Sequence, residues 1–251
     1  MKEMQRLLSR VRFAADKYNM IEDGDHIVVG ISGGKDSLAL LCTLAEMRVF
    51  YPKKYTLSAL TVDMGFSVSE SIAAPAADYS GIRELCRRLD VPYVVKQTEI
   101  ARVIFDIRKE SNPCSLCARM RRGVIHDEVK ALGANKLALG HHFDDAVITT
   151  MLNLFFEGHF GCFSPVTHLS RKELTMIRPF VSTEEKEIKA FVRKADLPVI
   201  KSACPADGNT ERALMKQYLG DFDHRHRGLY ARIVGALERG EVDGWKETVY
   251  K

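Results

Sequence analysis

Five short runs of apolar, mostly β-branched residues alternate along the chain with longer segments of helical periodicity. Each run ends in glycine, proline or polar residues, which is typical of strands that are buried on both faces of a sheet. We therefore predict strands at HIVVGIS (26–32), TLSALTVD (56–63), PYVVKQTE (92–99), NKLALGH (135–141) and LTMIRPF (174–180).

The segments between these runs place apolar residues three and four positions apart, which predicts helices. Strands that alternate with helices predict an α/β fold, a mostly parallel five-stranded sheet with helices on both faces. We expect helices at 1–20, 35–48, 71–90 (with an irregular start near Pro75), 100–109, 117–132, 144–157 and 183–195, and a helical, charged tail after Pro205.

Composition indicates a globular chain. Of its 251 residues, 46% are hydrophobic and 28% are charged, which is typical of a soluble protein with a core. The N-terminus carries charges throughout, unlike a signal peptide, and no apolar run approaches the roughly 20 residues that a membrane span needs. We therefore expect a cytoplasmic protein with no membrane partner. The net charge of +4 permits an anionic partner.

The stretch GISGGKDSLALL, residues 30–41, places glycines, a lysine and two serines between a strand and a helix. Such a turn directs backbone N–H groups at an anion, and Lys35 adds a positive charge. It is not a Walker A loop, because Val29 and Asp36 stand where that motif needs Gly and Ser or Thr. The alternative is a tight turn with exposed polar residues. We predict a phosphate loop made of Ser32, Gly33, Gly34, Lys35, Asp36 and Ser37.

Two further polar clusters follow strand ends. Asp63 ends the second strand, and GHHFDD follows the fourth. Ligands of parallel sheets lie outside the carboxyl ends of the strands, so both clusters should meet the loop in one crevice. Asp144 and Asp145 could share Mg²⁺, although Asp144 could instead cap a helix and the two histidines could make local hydrogen bonds. Zinc is not expected, because adjacent residues point apart and no third ligand is spaced nearby.

The six cysteines fall into two groups. Cys114 and Cys117 form a C-x-x-C, a pattern found in redox dithiols, zinc sites and iron–sulfur sites. No second C-x-x-C completes a zinc site, but Cys204 lies in a polar segment and could join the pair on a [4Fe–4S] cluster with one open iron. The alternative is three free thiols. The other cysteines occupy apolar helical positions or follow a glycine and should be structural: Cys42, Cys86 and Cys162.

SGGKDS matches the PP-loop of the ATP pyrophosphatase superfamily. With PCSLCARMRRG, GHHFDD and the lone Cys204 in that order, residues 21–227 resemble the tRNA 2-thiocytidine synthetase family, called TtcA. The chain departs from that family where Lys201 precedes and Pro205 follows the cysteine, since relatives often close a second C-x-x-C there and continue with glycine. The resemblance implies three stretches: an N-terminal helix (1–20), a PP-loop domain of the adenine nucleotide alpha hydrolase type (21–204) and a helical, basic extension (205–251).

The resemblance also implies the ligands. ATP would be held at its pyrophosphate end by the loop, with Asp63, Gly140 and His141 as further contacts. A [4Fe–4S] cluster would be held by Cys114, Cys117 and Cys204, with Cys162 as the alternative third ligand. The residues with implied roles in catalysis are Lys35, Asp36, Cys114, Cys117 and Cys204.

The implied reaction is ATP-dependent thiolation of tRNA. ATP adenylates the C2 oxygen of a cytidine, position 32 in the family, and pyrophosphate leaves. Sulfur carried on the open iron then replaces that oxygen as AMP is released, which gives 2-thiocytidine. The implied partners are tRNA, a sulfur donor such as a cysteine desulfurase and, as one possible assembly, a second copy of the chain.

Basic residues near the C-x-x-C and in the tail are candidates for contacts with RNA phosphates. Arg121 and Arg122 share a helix with the cysteine pair, and Arg225 and Arg227 lie in the basic tail segment. The alternative for each is a solvated or salt-bridged surface charge. At least one arginine beside the cysteine pair is expected to support the cluster instead.

Two other functions fit the same motifs. The first is a PP-loop iron–sulfur sulfurtransferase that acts on another tRNA base or on a small molecule. The second is a non-catalytic nucleotide-binding metal sensor, which would bind ATP without releasing AMP.

Overall fold

A six-stranded sheet forms the centre of the molecule in the computed structural model, which describes residues 2–110, 113–205, 208 and 210–247. The strand order across the sheet is β3-β2-β1-β4-β6-β5, and every neighbouring pair is parallel except the antiparallel pair of β5 and β6. The strands are β1 (Asp25–Gly30), β2 (Tyr55–Asp63), β3 (Tyr93–Gln97), β4 (Lys136–Ala138), β5 (Val166–Leu169) and β6 (Leu174–Ile177).

Helices connect the strands and extend the chain beyond the sheet. Single π-helical turns at Arg102–Ile107 and Asn153–Glu157 precede α4 and follow α5. The α-helices are α1 (Lys2–Lys17), α2 (Lys35–Phe50), α3 (Ser80–Arg88), α4 (Pro113–Ala131), α5 (Phe143–Leu152), α6 (Glu185–Ala195), α7 (Glu211–Arg225) and α8 (Leu229–Arg239).

The expected fold class is confirmed, with three local differences. The sheet has a sixth strand, β5, whose four residues are too short a pattern to separate from a loop; it forms by pairing with β6. The helix expected from residue 71 begins only at Ser80, because a residue before proline disfavours the helical region and Pro75 follows Ala74. Helical segments also differ in detail: those expected at 100–109 and 144–157 are partly π-helical, and the helix expected at 117–132 begins at Pro113, so that the C-x-x-C lies inside it.

The strand order creates a crevice at the carboxyl ends of β1 and β4. The chain moves outward from β1 through β2 to β3 and then returns to β4 on the other side of β1. Connections therefore leave in opposite directions at this point, which opens a space between them where ligands bind in sheets of this kind. The glycine-rich loop leaves β1 here, and GHHFDD follows β4.

The first and last stretches of the chain pack into the same hydrophobic core as the sheet. Leu7 and Val11 of α1 are fully buried, and Trp245 near the C-terminus is 1% exposed. The rings of Tyr18 and Trp245 meet edge to face at 6.2 Å, and the indole N–H donates to the Phe163 carbonyl at 3.0 Å. Burial of one such aromatic side chain stabilises a fold by about 2–3 kcal/mol, so both ends contribute to the stability of the domain. Within the described ranges, no helix is long and apolar enough to cross a bilayer.

Candidate active site

The phosphate loop between β1 and α2 is organised by its own serines. The buried Ser37 hydroxyl donates to the Gly34 carbonyl at 2.9 Å and accepts from the Ser32 N–H at 3.2 Å. Gly33 adopts a φ of +82°, a left-handed conformation that favours glycine. Gly34 precedes α2 as its N-cap with no side-chain cap, so the first N–H groups of the helix are available to an anion.

The segment before Cys204 is attached to this loop. The Ile200 N–H donates to the Gly33 carbonyl at 2.9 Å. A Cβ on Gly33 would lie 3.2 Å from the Ile200 Cβ, so the two backbones are in close contact. This hydrogen bond connects the nucleotide loop to the segment that carries the third candidate cysteine.

Gly140 lets the turn after β4 approach the first turn of α2. A Cβ at this position would lie 3.1 Å from the Asp36 carbonyl carbon and from the Ser37 nitrogen. Both are backbone atoms that cannot move aside without distorting the loop. Glycine is therefore required here for steric reasons, independent of any contact with a ligand.

Lys35 is held by two carboxylates at the helix start. Its Nζ lies 2.8 Å from Asp36 Oδ2 and 3.0 Å from Glu185 Oε1. Burial alone would lower the pKa of Lys35, but these two carboxylates outweigh it and raise the pKa. The lysine is therefore a fixed cation at the mouth of the phosphate loop.

Glu185, the first residue of α6, forms ion pairs with three lysines. Its side chain is only 8% exposed and binds Lys35 and Lys216 through Oε1 and Lys189 through Oε2. Burial would raise the pKa of Glu185, but hydrogen bonds from the three lysines lower it well below its usual range. The carboxylate is ionised and links α2, α6 and α7.

The two candidate magnesium ligands have partners within the protein. The Asp145 carboxylate accepts from the His142 N–H at 3.0 Å in a capping box at the start of α5, and from Arg212 at 2.7 Å. Asp144 Oδ2 accepts from the Glu185 N–H at 2.8 Å, so it caps α6 rather than its own helix. Burial raises the pKa of Asp144, while His142 and Arg212 outweigh burial and lower the pKa of Asp145. Their role as magnesium ligands stays a prediction.

His141 is packed as a neutral imidazole. Its ring centroid lies 5.1 Å from that of Phe163. The guanidinium of Arg178 also lies over the Phe163 ring, 5.2 Å from its centroid. Burial, reinforced by the positive charge of Arg178, lowers the pKa of His141 to about 4. Its buried Nδ1 has no hydrogen-bond partner among the described residues. The ring is therefore uncharged at neutral pH.

Asp63 lies at the end of β2, on the same edge of the sheet as the loop. Its carboxylate accepts from the Gly65 N–H at 2.9 Å. Burial raises the pKa of Tyr79. The negative charge of the nearby Asp63, and a hydrogen bond with it, raise this pKa further. The residue is thus placed where the sequence expects it, and its contact with ATP stays a prediction.

The C-x-x-C lies in the first turns of α4, with Cys114 exposed and Cys117 partly buried. Burial raises the pKa of Cys117 most, and the neighbouring thiols of Cys204 and Cys114 raise it further, while Arg121 lowers it. An electrostatic effect of this kind requires proximity, so the fold brings Cys204 to the pair across the intervening sequence. Arg121 is the arginine whose positive charge acts on Cys117.

The three thiols fit an iron–sulfur cluster in their chemistry. In the described residues, no three His, Cys, Asp or Glu side chains converge closely enough to hold one metal ion. Thiolates on a cubane cluster each bind a different iron. Cysteine thiolates are also the donors that such clusters use, and these three are only partly buried or exposed.

The remaining cysteines lie elsewhere. Burial raises the pKa of Cys42 to about 12 and that of Cys86 to about 11, as expected for structural thiols. Cys162 is half-buried, its thiol donates to the Ala146 carbonyl at 3.5 Å, and burial raises its pKa to about 11. The charge of Cys204, by contrast, acts on Cys117. The choice of Cys204 over Cys162 as the third ligand stays a prediction.

The four candidate RNA-binding arginines are all exposed. Arg121 and Arg122 lie on α4, Arg225 ends α7, and Arg227 follows it. Among the residues with described side chains, none of the four takes part in an ion pair. Their positive charges are available to phosphates, and their contact with RNA stays a prediction.

Sequence reasoning missed the contribution of α6 and α7 to the nucleotide site. Glu185, Arg212 and Lys216 lie in segments that read as ordinary amphipathic or charged helices. No local motif distinguishes them, because their partners Lys35 and Asp145 lie far away along the chain. The packing of α6 on α2 and of α7 on α5 brings them to the phosphate loop.

Comparisons with known proteins agree with this geometry. The PP-loop domain family matches residues 5–221. The tRNA-cytidine(32) 2-sulfurtransferase of Syntrophotalea carbinolica is 38% identical over 232 residues, 89% of this chain and 85% of the relative. That of Geobacter sulfurreducens is 36% identical over 236 residues, 93% of this chain and 89% of the relative.

A solved structure shares the fold. The U34-tRNA thiolase NcsA from Methanococcus maripaludis, solved with its [4Fe–4S] cluster, superposes with a TM-score of 0.77 at 23% identity and covers 94% of this chain and 78% of that one. The family match spans most of the chain, and the relatives of known name align over nearly all of it. The chain therefore belongs to the tRNA-cytidine(32) 2-sulfurtransferase family of PP-loop proteins, the family that its motifs resemble.

Proposed function

We propose that this protein thiolates a cytidine of tRNA at the expense of ATP. The names of the relatives support position 32 as the target and 2-thiocytidine as the product. The observation that carries the proposal is the hydrogen bond from Ile200 to Gly33, because it joins the loop for ATP to the segment that ends in Cys204. Activation of the base and delivery of sulfur can therefore occur at neighbouring points of one crevice.

The first half of the reaction is adenylation. The C2 oxygen of the cytidine attacks the α-phosphorus of ATP, the bond to the bridging oxygen breaks, and pyrophosphate leaves. Free N–H groups at the start of α2 and the ammonium of Lys35 stabilise the charge that develops on pyrophosphate. Asp36 holds Lys35 in place through a 2.8 Å contact.

Other residues at the crevice complete the ATP site in this proposal. Asp63 at the end of β2 contacts the adenosine, and Gly140 and the neutral His141 contact the nucleotide from the turn after β4. Mg²⁺ would offset the charge of the phosphates. Asp144 is the better suited carboxylate for the ion, since both oxygens of Asp145 already accept hydrogen bonds.

The second half is sulfur transfer. Sulfur bonds to C2, the bond from C2 to the adenylated oxygen breaks, and AMP leaves with that oxygen. A bound [4Fe–4S] cluster with one iron free of protein ligands would carry the incoming sulfur. Cys114, Cys117 and Cys204 would hold the cluster, and Arg121 would offset part of its negative charge.

The RNA and the sulfur source complete the scheme. Arg122, Arg225 and Arg227 contact phosphates of the tRNA, with Arg121 shared between RNA and cluster. A cysteine desulfurase or similar donor replenishes the sulfur, and two copies of the chain can act as a homodimer.

Nucleoside analysis of the products tests the proposal. Anaerobically reconstituted protein, ATP, sulfide and unmodified tRNA should yield 2-thiocytidine at position 32 together with AMP and pyrophosphate in equal amounts. Thiolation of another base or of a small molecule would favour the alternative of a PP-loop sulfurtransferase with a different substrate. ATP binding without AMP would favour the metal sensor, and release of ADP and orthophosphate would contradict the PP-loop assignment.

A further inference from the structure

A cavity of about 580 Å³ opens beside the cysteine site. Its lining includes Ile72 and Pro75 from the segment after β2, and Ala203 and Pro205 from the segment that contains Cys204. Phe105, from the π-helical turn before α4, forms part of the lining. This volume is within the range of small-ligand pockets.

The cavity borders on the candidate cluster ligands. Ala203 and Pro205 are the two neighbours of Cys204 in the chain. Phe105 packs on the same small apolar cluster as Cys117, together with the buried Leu116. A group inside the cavity therefore lies near the chain segments that carry Cys204 and Cys117.

The lining suits a flat ring with polar edges. The aromatic face of Phe105 and the rings of the two prolines can stack on a base. Hydroxyl and ammonium groups of Ser71, Ser202 and Lys201 lie among the lining residues and can bind carbonyl oxygens or ring nitrogens. An enzyme that modifies a base must take it out of its stack and enclose it, which needs a space of this kind.

We propose that this cavity receives the extruded target pyrimidine of the tRNA and holds it near the segments that carry Cys117 and Cys204. The inference rests on the proposed thiolation and names the place where the base binds. The phosphates of the nucleic acid would stay at the surface, so base capture and overall tRNA affinity depend on different residues.

A matched pair of tryptophan variants tests the cavity. Ala74 lies among the lining residues and is half-buried, so Ala74→Trp fills the space without removing any existing side-chain contact. Ala77 lies in the same segment, is exposed and is not part of the lining, so Ala77→Trp is the control. Iron content, ATP binding, tRNA affinity and 2-thiocytidine formation are measured for both proteins.

Ala74→Trp should lower kcat/KM for thiolation at least tenfold, with tRNA affinity, iron content and ATP binding equal to those of Ala77→Trp. Equal thiolation by the two variants would overturn the cavity proposal alone. Loss of iron from Ala74→Trp alone would also overturn it, since the cavity would then serve cluster packing. Wild type that forms no 2-thiocytidine would remove the proposed function and the cavity proposal together.

A second, independent observation concerns the lysines on Glu185. Lys35 Nζ lies 3.0 Å and Lys216 Nζ 2.7 Å from the same oxygen, Oε1. One carboxylate oxygen therefore brings together two ammonium groups from α2 and α7, beside the start of α2. The three lysines outnumber the two carboxylates that they contact, Glu185 and Asp36, so the cluster keeps an excess positive charge beside the free N–H groups of α2 and attracts a polyanion.

We infer that Lys216 is a second cationic contact for the phosphates of ATP, supplied by the C-terminal extension. This role adds a residue from outside the phosphate loop to the ATP site of the proposed function, and it rests on ATP being the ligand. Lys189 provides a matched control, because it binds the other oxygen of the same carboxylate at 3.0 Å from within α6 and is 56% exposed.

Pyrophosphate release measured against ATP concentration tests this inference. Lys216→Met should raise the KM for ATP about fivefold or more, while Lys189→Met should stay within twofold of wild type, with similar thermal stability. Lys216→Arg should restore most of the affinity. Equal effects of the two methionine variants, or a loss that follows stability alone, would overturn the inference. Wild type that releases no pyrophosphate would instead overturn the proposed function.

Discussion

The nucleotide half and the cysteine half of the crevice are built in different ways. In the nucleotide half, the Ser37 hydroxyl donates to the Gly34 carbonyl at 2.9 Å, and Lys35 forms ion pairs with Asp36 and Glu185 at 2.8 and 3.0 Å. In the cysteine half, no hydrogen bond reaches the thiols of Cys114, Cys117 or Cys204 within the described residues. The contrast teaches that the phosphate loop is organised by contacts within the chain, whereas the thiols are brought near one another by the packing of distant segments.

The largest expected effect lies in the cysteine half. Replacing Cys114, Cys117 or Cys204 by Ala should remove thiolation to background, because a cluster with two protein ligands is poorly held, while ATP binding is unchanged. Iron and acid-labile sulfide content of anaerobic protein, measured beside nucleoside analysis, checks this. Cys42→Ala and Cys162→Ala are the controls and should keep iron. Full iron content in Cys204→Ala would show that another residue is the third ligand.

In the nucleotide half, bulk at Gly140 should break the preorganised loop. Gly140→Val would place side-chain atoms within about 3 Å of the Asp36 and Ser37 backbone, and such overpacking costs about 1–3 kcal/mol. We expect at least a tenfold loss of ATP affinity and a lower melting temperature. Gly123→Ala in α4 is the control, since a Cβ there meets nothing within 4 Å. Wild-type ATP affinity in Gly140→Val would show that the close approach is dispensable.

His141 should make the nucleotide half sensitive to acid. Its folded pKa of about 4 lies below the ordinary value of 6.5, so the unfolded chain binds the proton more readily. Stability should therefore be constant above about pH 6.5 and fall by up to about 3 kcal/mol as pH drops toward 4. Urea unfolding at several pH values checks this: His141→Phe should lose that slope, while a variant of the exposed His224 should keep it. An unchanged slope in His141→Phe would assign the pH dependence to other groups.

The smallest expected effect concerns the outer surface. Charge reversal at Arg225 and Arg227 should weaken tRNA binding several-fold and reduce its salt dependence, because each phosphate contact contributes about one unit to the slope of log K against log salt. ATP affinity should stay unchanged. Filter binding of tRNA across a salt series checks this. Equal salt slopes for variant and wild type would remove the tail from the RNA interface.

Local sequence determined the parts of the protein whose structure depends on near neighbours. The five strands followed from continuous apolar runs, and the phosphate loop followed from glycines between a strand and a helix, where only short-range geometry is involved. The pairing of Cys114 with Cys117 on one helix is likewise a matter of spacing. These motifs also sufficed to indicate the family.

Tertiary structure alone decided which distant segments meet at the crevice. Ile200 binds Gly33, and α7 brings Lys216 to Glu185, although no periodicity or motif links these positions. The strand β5 forms only because β6 offers it an edge. The physical reason is that such contacts depend on how helices pack over the sheet, and that packing reflects burial summed over the whole core rather than the pattern of any one segment.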